Sequence, residues 1–414
     1  MPRAGTIDPA PAWVSKINLA ALAVLIGWIL YDALGRNVFG NTPWPQSVVD
    51  YHIMYEQSRQ IAVRLAYDPG QIFPYAPPAV LMFALSAITP FAIAAAVWLA
   101  LLTASAIGVF VLGTELVGLR GNAARWIVAL LTYVVTNNYF QWDLRSVNCN
   151  SVYAVLLVGA MVCVARNRNA WGGSLLAASI AVKLYPVLAL PYLVWAKKWR
   201  AALATIACLL ALFVVLPLLY AGPTGMTRLY QSWFEQLRLA TATDLTDHPI
   251  LISIPHGLAK VFGADSPQAV WIQRGAKVVW VGAVGLCLLS GGLRRDRGRT
   301  GWDLCVDAFA LVLLPVVVSP YLESYHVVVA APPILALLSY GVLKQGDLWR
   351  LTVAVLVVLA GWGLLYAFGK WKLRGLGVLA QMSLVFLALA AARIDINRRT
   401  RRANAMQGAT PVLN

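Results

Sequence analysis

The sequence contains few charged residues for its length. Only 12% of the 414 residues are Asp, Glu, Lys or Arg, against roughly a quarter in an ordinary soluble domain. So few charges cannot cover a water-facing surface of this size, which excludes a soluble globular protein. Among the charged residues the acidic ones are the scarcer, with 17 against 33 basic ones, and the formal net charge is +16. A basic patch on a soluble face does not fit this composition, so we expect no nucleic-acid partner.

Cysteine and the familiar soluble catalytic motifs are also scarce or missing. The five cysteines have no Cys-x-x-Cys spacing, so neither zinc nor a disulfide framework is predicted. The sequence has no GxGxxG after a strand, no P-loop, no HExxH and no GxSxG. We therefore expect no metal and no cofactor. There is no internal repeat and no low-complexity stretch.

Long apolar runs make up most of the chain. Hydrophobic residues account for 60% of it, and 16 Trp and 16 Tyr suit the aromatic belts at membrane surfaces. Since a spanning helix needs about 20 apolar residues, the sequence predicts an all-α polytopic membrane protein with about twelve segments. These lie near residues 17–34, 91–117, 126–140, 148–165, 172–183, 185–196, 201–220, 271–291, 304–319, 326–343, 351–368 and 374–392.

Basic residues cluster on alternate short loops, which predicts the orientation of the chain in the membrane. The clusters are Arg3/Lys16, Arg120/Arg125, Arg166/Arg168, Lys197/Lys198/Arg200, Arg294/Arg295/Arg297/Arg299, Lys344/Arg350 and Arg393/Arg398/Arg399/Arg401/Arg402. Placing them inside puts both termini in the cytoplasm. We expect a multi-pass protein of the bacterial inner (plasma) membrane, surrounded by membrane lipids.

The apolar pattern also predicts one domain with some irregular helices. Residues 1–402 form a single transmembrane domain, with longer outer segments at 35–77 and 221–270, and 403–414 is a disordered tail. The runs 172–183 and 185–196 are too short to span alone, and KLYP separates them. Non-helical backbone at membrane depth survives where it is buried in protein or lines a wet cavity. These broken helices therefore favour a cavity, although imperfect spans would give the same pattern.

Polar residues that lipid does not explain gather on the predicted outer side. The stretch VVDYHIMYEQSRQIA predicts a helix carrying Asp50 and His52, on which Asp50 is either an N-cap or a functional carboxylate. In RSVNCNSV, Asn148 and Asn150 precede an apolar run and are either helix caps or sugar ligands. Arg145, just before them, either pairs with Asp143 or contacts substrate.

Three further positions on this side stand out. Lys183, between two short apolar runs, either neutralises a phosphate or snorkels to the surface. Glu323 and His326 share one helix face at i,i+3 spacing. His248, in TDHPI, is a weaker candidate.

Taken in order, these segments resemble the polyprenyl-phosphate-sugar-dependent glycosyltransferases of family 87. The similarity rests on the acidic residue after the first span (VVDYHIMY), on FPYAPPAVLMF, on RSVNCNSVYAVLL, on LLAASIAVKLYPVLALPYLVWAKKWRA and on VVVSPYLESYHVVVAAP. The chain departs from the family where Arg145-Ser146 replaces Gly-Gln and where Asp247-His248-Pro249-Ile250 replaces an Asn-Gln-Ser-Leu-like stretch. Both departures fall where substrate could be held, so the sugar and the acceptor stay open.

The resemblance implies a GT-C type fold and an inverting sugar transfer on the outer side. The donor would be a polyprenyl-phosphate sugar, with mannose the first expectation, and the acceptor a lipid or glycan. Asp50 would be the general base, and Lys183, Arg145 and His326 would bind the donor phosphate. Substrate contacts are expected from His52, Tyr75, Asn148, Asn150, Tyr185, His248 and Glu323. Two alternatives are a polytopic secondary transporter and arabinofuranosyl transfer from a polyprenyl phosphate.

Overall fold

The computed structural model describes residues 12–40, 44–45, 48–68, 73, 75–80, 83, 88–242, 253–263, 266–292, 300–319, 323–343, 348–370 and 372–408. Within these ranges the chain is almost entirely helical and contains no strand. The prediction of an all-α protein is confirmed.

The helices follow the predicted apolar runs closely. They are α1 (Ala12–Asn37), α2 (Val49–Arg64), α3 (Phe91–Leu116), α4 (Arg125–Ser146), α5 (Asn150–Ala165), α6 (Asn169–Val182), α7 (Ala189–Trp195), α8 (Trp199–Leu210), α9 (Leu216–Ala242), α10 (Ile254–Phe262), α11 (Pro267–Gly292), α12 (Gly301–Val318), α13 (Ala331–Leu343), α14 (Leu348–Lys370) and α15 (Arg374–Gly408). Tyr185–Leu188 and Ser324–Ala330 are 3-10 helices, and Ala211–Val215 is a π-helical turn that joins α8 to α9.

Seven helices in the described ranges are long and apolar enough to cross a membrane. They correspond to seven of the twelve predicted segments, so the polytopic prediction holds. Their environments differ sharply: 83% of the most apolar window of Ser324–Val342 is buried, against 17% for Trp349–Lys370. The helix at 324–342 therefore lies at the centre of the bundle, and the helix at 349–370 presents most of its surface outwards.

Two adjacent glycines allow α6 to pack tightly against its neighbours. A Cβ atom added to Gly173 would lie 2.5 Å from the carbonyl oxygen of Ala201 on α8, and one at Gly172 would lie 3.1 Å from that of Ala160 on α5. The first distance is shorter than real Cβ contacts become, and the second is tighter than most of them. As in many membrane helices, small residues allow the backbones to approach, which fixes α6 between α5 and α8.

The chain breaks where the sequence predicts irregular helices. Helix α6 ends at Val182, and Lys183 is extended, with φ −149° and ψ 136°. The 3-10 turn and the short α7 follow. A second break interrupts α9 at Gly222, which has a φ of 65° and is followed by Pro223. This kink coincides with the predicted start of the second outer segment.

The C-terminal end differs from the sequence prediction. Helix α15 continues to Gly408, so residues 403–408 are helical although they were predicted as part of a disordered tail. The remaining tail residues, 409–414, lie outside the described ranges.

Candidate active site

Asp50 lies in the first turn of α2 and does not cap it. The N-cap residue is Val48, which makes no side-chain cap. The carboxylate of Asp50 instead accepts a 2.8 Å hydrogen bond at Oδ2 from the Nδ2 amide of Asn148. A helix cap therefore does not explain this acidic residue, and its contact points into the protein.

The Asn148 amide has a fixed orientation. Its Oδ1 accepts from the backbone N–H of Cys149 at 2.8 Å, from Asn150 Nδ2 at 3.0 Å and from the Tyr75 hydroxyl at 3.0 Å. Because these donors occupy the oxygen, the Nδ2 group must face Asp50. The preceding residue, Val147, has a φ of 52°, a conformation that costs energy for a β-branched side chain. The strained turn places Asn148 opposite Asp50.

Asn150 is held by a buried carboxylate on the preceding helix. Asp143 Oδ1 accepts from the backbone N–H and Nδ2 of Asn150, and its Oδ2 accepts from the backbone N–H and Oγ of Ser151. These four bonds match the lone-pair sites of a carboxylate and satisfy two backbone N–H groups in the first turn of α5. Asp143 therefore anchors the start of α5, and was not itself predicted as a site residue.

Lys183 points into the bundle rather than towards the membrane surface. Its Nζ donates to Asn150 Oδ1 at 2.5 Å and lies 5.8 Å from the ring centroids of both Tyr153 and Tyr325. Ring faces of this kind attract a cation. An unbroken series of side chains thus joins the cation to the carboxylate: Lys183, Asn150, Asn148 and Asp50.

Glu323 and His326 complete the cluster from the start of the central helix. The two residues form a reciprocal capping box, in which the His326 Nδ1 accepts from the Glu323 backbone N–H at 3.4 Å. In the neutral imidazole this leaves the ring proton on Nε2. The Tyr153 hydroxyl donates to the His326 carbonyl at 3.2 Å, and the ring of Tyr185 lies 6.4 Å from that of His326.

Burial raises the pKa of both carboxyl groups in the cluster. For Asp50, desolvation raises the pKa, its hydrogen bond with Asn148 opposes this, and Asp143 and Lys183 act in opposite directions. For Glu323, desolvation and the neighbouring charge of Asp50 raise the pKa to about 7, while Lys183 opposes them. These couplings place both carboxyl groups and the ammonium in one electrostatic environment.

One predicted site residue, His52, points away from this cluster. It is exposed and packs edge-on against Phe91 at 5.0 Å, because residues two apart on a helix do not share a face. Arg145, in the last turn of α4, is electrostatically coupled to Tyr133, whose hydroxyl donates to Asp32 at 2.6 Å. His248 lies outside the described residues.

Distant residues support the cluster and carried no signal in the sequence. The Trp98 indole N–H donates to the Asn148 carbonyl at 3.0 Å. Gln236, on α9, accepts from the Phe73 backbone N–H at 3.0 Å and donates to the Asp68 carbonyl at 2.7 Å, which ties Phe73 and Asp68 to α9. Each contact joins residues far apart in the chain, which a single sequence does not reveal.

The arrangement suits proton removal beside an anionic group. A half-buried carboxylate with a raised pKa is a proton acceptor near neutral pH, and an oriented ammonium stabilises developing negative charge. Among the residues that the structure describes, no group of three or more His, Cys, Asp and Glu side chains is placed to hold a metal ion.

Comparison with known proteins identifies one family. A family model described as Glycosyltransferase family 87 matches residues 73–320. No curated protein and no solved structure matches the chain. The matched region contains Tyr75, Asn148, Asn150 and Lys183, whereas Asp50 precedes it and the Glu323–His326 box follows it.

Proposed function

The chain belongs to glycosyltransferase family 87, a GT-C type family, and we propose that this membrane enzyme transfers mannose from a polyprenyl-phosphate donor to a lipid or glycan acceptor. The observation that carries the proposal is the series of hydrogen bonds from Lys183 through Asn150 and Asn148 to Asp50. It holds a proton acceptor and a cation in one cluster, as sugar transfer from a phosphate donor requires.

Asp50 is the general base of the proposed reaction. The acceptor hydroxyl gives its proton to the Asp50 carboxylate as its oxygen attacks the anomeric carbon. One bond forms between this oxygen and the sugar, and the bond from the sugar to the phosphate oxygen breaks. Attack from the side opposite the phosphate inverts the anomeric centre. A base of this kind contributes about 100- to 10,000-fold to the rate.

The leaving group is a polyprenyl phosphate, which departs with the electron pair of the broken bond. It needs no strong acid, because the phosphate carries the charge, and it needs a cation or hydrogen-bond donors nearby. Lys183 supplies the cation, and the Nε2–H of a neutral His326 is a further donor. Tyr75 and Tyr185 flank the two ends of the cluster and contact the sugar in this proposal.

The topology proposed for this enzyme places the cluster at the outer face of the bacterial inner membrane. The positive-inside distribution supports cytoplasmic termini and an outward-facing site. The five predicted segments beyond the seven long apolar helices correspond to α4, α5, α6, α7 with its preceding 3-10 turn, and α12. Together they give the proposed total of about twelve segments around the site.

A transfer assay tests the function directly. Purified protein is incubated with radiolabelled polyprenyl-phosphate mannose and bacterial membrane lipids, and labelled lipid or glycan product is separated from donor. We expect label in the product. If product forms only when the donor is a polyprenyl-phosphate arabinofuranose, arabinofuranose replaces mannose in the proposal. Movement of an intact sugar across vesicles without any transfer would support the transporter alternative instead.

Asn148 is expected to tune the base rather than to touch the reacting atoms. Its hydrogen bond lowers the pKa of Asp50, so Asn148→Ala removes that effect and the pKa of Asp50 rises further. The acid limb of the kcat/KM profile should therefore move to higher pH, with kcat/KM at neutral pH about 10- to 100-fold lower. The measurement is the pH profile of transfer.

The matched control is Asn137→Ala. Asn137 Nδ2 donates to a different buried carboxylate, Asp32, at 2.7 Å, so the change removes the same kind of bond away from the cluster. An acid limb that stays in place in Asn148→Ala, or that moves equally in the control, would contradict the assignment.

Glu323 is expected to make donor binding depend on pH. With a pKa of about 7, it is largely neutral below neutral pH and becomes negative as pH rises. The negative form repels the donor phosphate and offsets Lys183, so the donor KM should rise as pH increases through about 7. In Glu323→Gln the donor KM should no longer change over this range.

The control for this effect is Glu235→Gln, which removes an exposed carboxylate on α9. It should keep the wild-type dependence of the donor KM on pH. The same dependence in Glu323→Gln would show that another group titrates.

A further inference from the structure

Four helix ends that turn through a left-handed residue share one pattern of backbone hydrogen bonds. The N–H of the left-handed residue donates to the carbonyl three residues before it, and the next N–H donates to the carbonyl five residues before its own position. These two bonds satisfy carbonyl groups that a helix end otherwise leaves without a partner. The left-handed residues are Gly118, Asn167, Lys197 and Lys372.

The end of α4, which leads into the active-site cluster, keeps only half of this pattern. Val147 is left-handed, with a φ of 52°, and the N–H of Asn148 donates to the carbonyl of Asp143 at 3.1 Å. The N–H of Val147 donates to this same carbonyl rather than to that of Leu144, three residues before it. The second backbone bond of the pattern is therefore replaced here, in a turn that is already strained by a β-branched residue.

The side chain of Asn37, the last residue of α1, takes the place of that bond. Its Nδ2 donates to the carbonyl of Leu144 at 2.9 Å and to the carbonyl of Ala33, on its own helix, also at 2.9 Å. A side-chain amide has two N–H donors, so both are used. Asn37 is fully buried, and its amide joins the last turns of α1 and α4.

The bond from Asn37 keeps α4 from continuing by one residue. In a regular helix the carbonyl of Leu144 accepts from the N–H four residues later, which is that of Asn148. This bond would bring Val147 into the right-handed conformation that a β-branched residue prefers, and Asn148 would turn away from Asp50. With its carbonyl occupied by Asn37, Leu144 does not form this bond, and the left-handed turn persists.

We propose that Asn37 is a positioning residue of the active site, whose amide holds the end of α4 in the left-handed turn that presents Asn148 to Asp50. Asn37 acts through Asn148 and not on the reacting atoms. The proposal rests on the proposed role of Asp50 as general base. The charged groups coupled to Asp50 and its neighbour in the cluster are Asp143, Lys183 and Glu323, and replacing Asn37 changes none of them.

Asn37→Leu tests this role, because it removes the amide at similar side-chain size. The acid limb of the kcat/KM profile should move to higher pH, as in Asn148→Ala, and kcat/KM at neutral pH should fall about tenfold. Adding Val147→Gly should restore most of the loss, since glycine adopts the left-handed turn without strain. The pH profile of transfer, with a melting curve for each variant, is the measurement.

Asn18→Leu is the matched control. Asn18 Oδ1 accepts from the backbone N–H of Trp126 at 2.7 Å, so it joins the same two helices near their other ends. The melting temperature should fall, while the acid limb stays in place. An equal movement of the acid limb in both variants would mean that Asn37 only holds α1 against α4, and would overturn the proposal.

Hydrogen exchange provides a measurement that needs no transfer activity. The N–H of Cys149 donates to Asn148 Oδ1, so it loses this acceptor when Asn148 turns away. Exchange in a peptide covering residues 147–151 should be about two- to tenfold faster in Asn37→Leu than in wild type or Asn18→Leu. Faster exchange in a protein whose wild type transfers no sugar would contradict the proposed function and still support the effect of Asn37 on the turn.

Three results would overturn the role of Asn37. They are exchange equal to that of wild type, an acid limb that stays in place in an active Asn37→Leu enzyme, and no recovery when Val147→Gly is added. If Asn37→Leu does not fold, Asn37→Ser replaces it with the same expected directions. A serine hydroxyl has one proton and bonds to the carbonyl four residues before it on its own helix, so it leaves Leu144 without the bond.

Discussion

Asp50→Asn is expected to lower kcat for sugar transfer about 100- to 10,000-fold, the range that a positioned general base supplies. The substitution keeps the size of the side chain and an oxygen that can accept from Asn148, so the start of α2 should fold as before. It removes the proton acceptor alone. The donor KM should change little, because the loss falls on the transition state rather than on binding. Transfer kinetics with labelled donor, together with a melting curve in detergent, measure both parts.

The matched control is Glu56→Gln. Glu56 is a partly buried acid on the same helix, six residues after Asp50 and on a different face. Activity near wild type in this variant, with activity lost in Asp50→Asn, assigns the effect to one carboxylate rather than to the charge of α2. An Asp50→Asn enzyme with normal kcat would require a different base.

Lys183→Gln is expected to produce the second-largest loss, about 100- to 1,000-fold in kcat, comparable to the removal of one preorganised donor from an oxyanion site. Glutamine can still bond to Asn150, so the hydrogen-bonded series is kept while the positive charge is lost. The donor KM should rise as well, since the phosphate loses its cation in the ground state too. The acceptor KM should stay as it is. Lys183→Arg, which keeps the charge, should retain more activity than Lys183→Gln.

Lys198→Gln provides the comparison for Lys183. This lysine lies past the other end of α7 and donates to Asn167 at an exposed position. Its replacement should leave both KM values and kcat near wild type. A purely structural Lys183 would show itself by donor and acceptor KM rising together, without recovery in the arginine variant.

Local features of the fold were predictable because they depend on neighbouring residues. The break after Val182 follows from Pro186, which lacks a backbone N–H and disfavours a helix before it. The kink at Gly222 follows from a glycine-proline pair, and the apolar runs predict the helices because lipid requires them. The tail was mispredicted because its polar composition does not prevent helix α15 from extending one or two turns beyond the bundle.

The contacts of the site were not predictable, although most of its residues were. Polarity in an apolar region singled out Asp50, Asn148, Asn150 and Lys183. It did not indicate that Asn148, 98 residues from Asp50, orients that carboxylate. Such pairings depend on how helices pack, and one sequence contains no record of them.

A second buried polar group shows the same limit. Asp32, on α1, accepts from Tyr133 and Asn137 and, at 3.1 Å, from Gln141 Nε2. These donors recur every four residues on α4, so they form one stripe. The sequence shows the spacing of these three donors, but it does not indicate that they face a single acceptor on α1.

The buried guanidinium of Arg393 imposes an order on the assembly of the helices. Arg393, on α15, is fully buried and pairs with Asp307 on α12, with Asp303 at 3.5 Å and with the Cys287 carbonyl of α11 at 2.9 Å. Arg393 is made 86 residues after Asp307, which at 5–20 residues per second is a delay of roughly 4–17 s. Until α15 is made, the two carboxylates of α12 lack this cation, and a buried carboxylate without its ion pair costs several kcal/mol. Helix α15 therefore supplies the cation for a helix inside the family-matched region, and α12 reaches its final packing only when α15 docks.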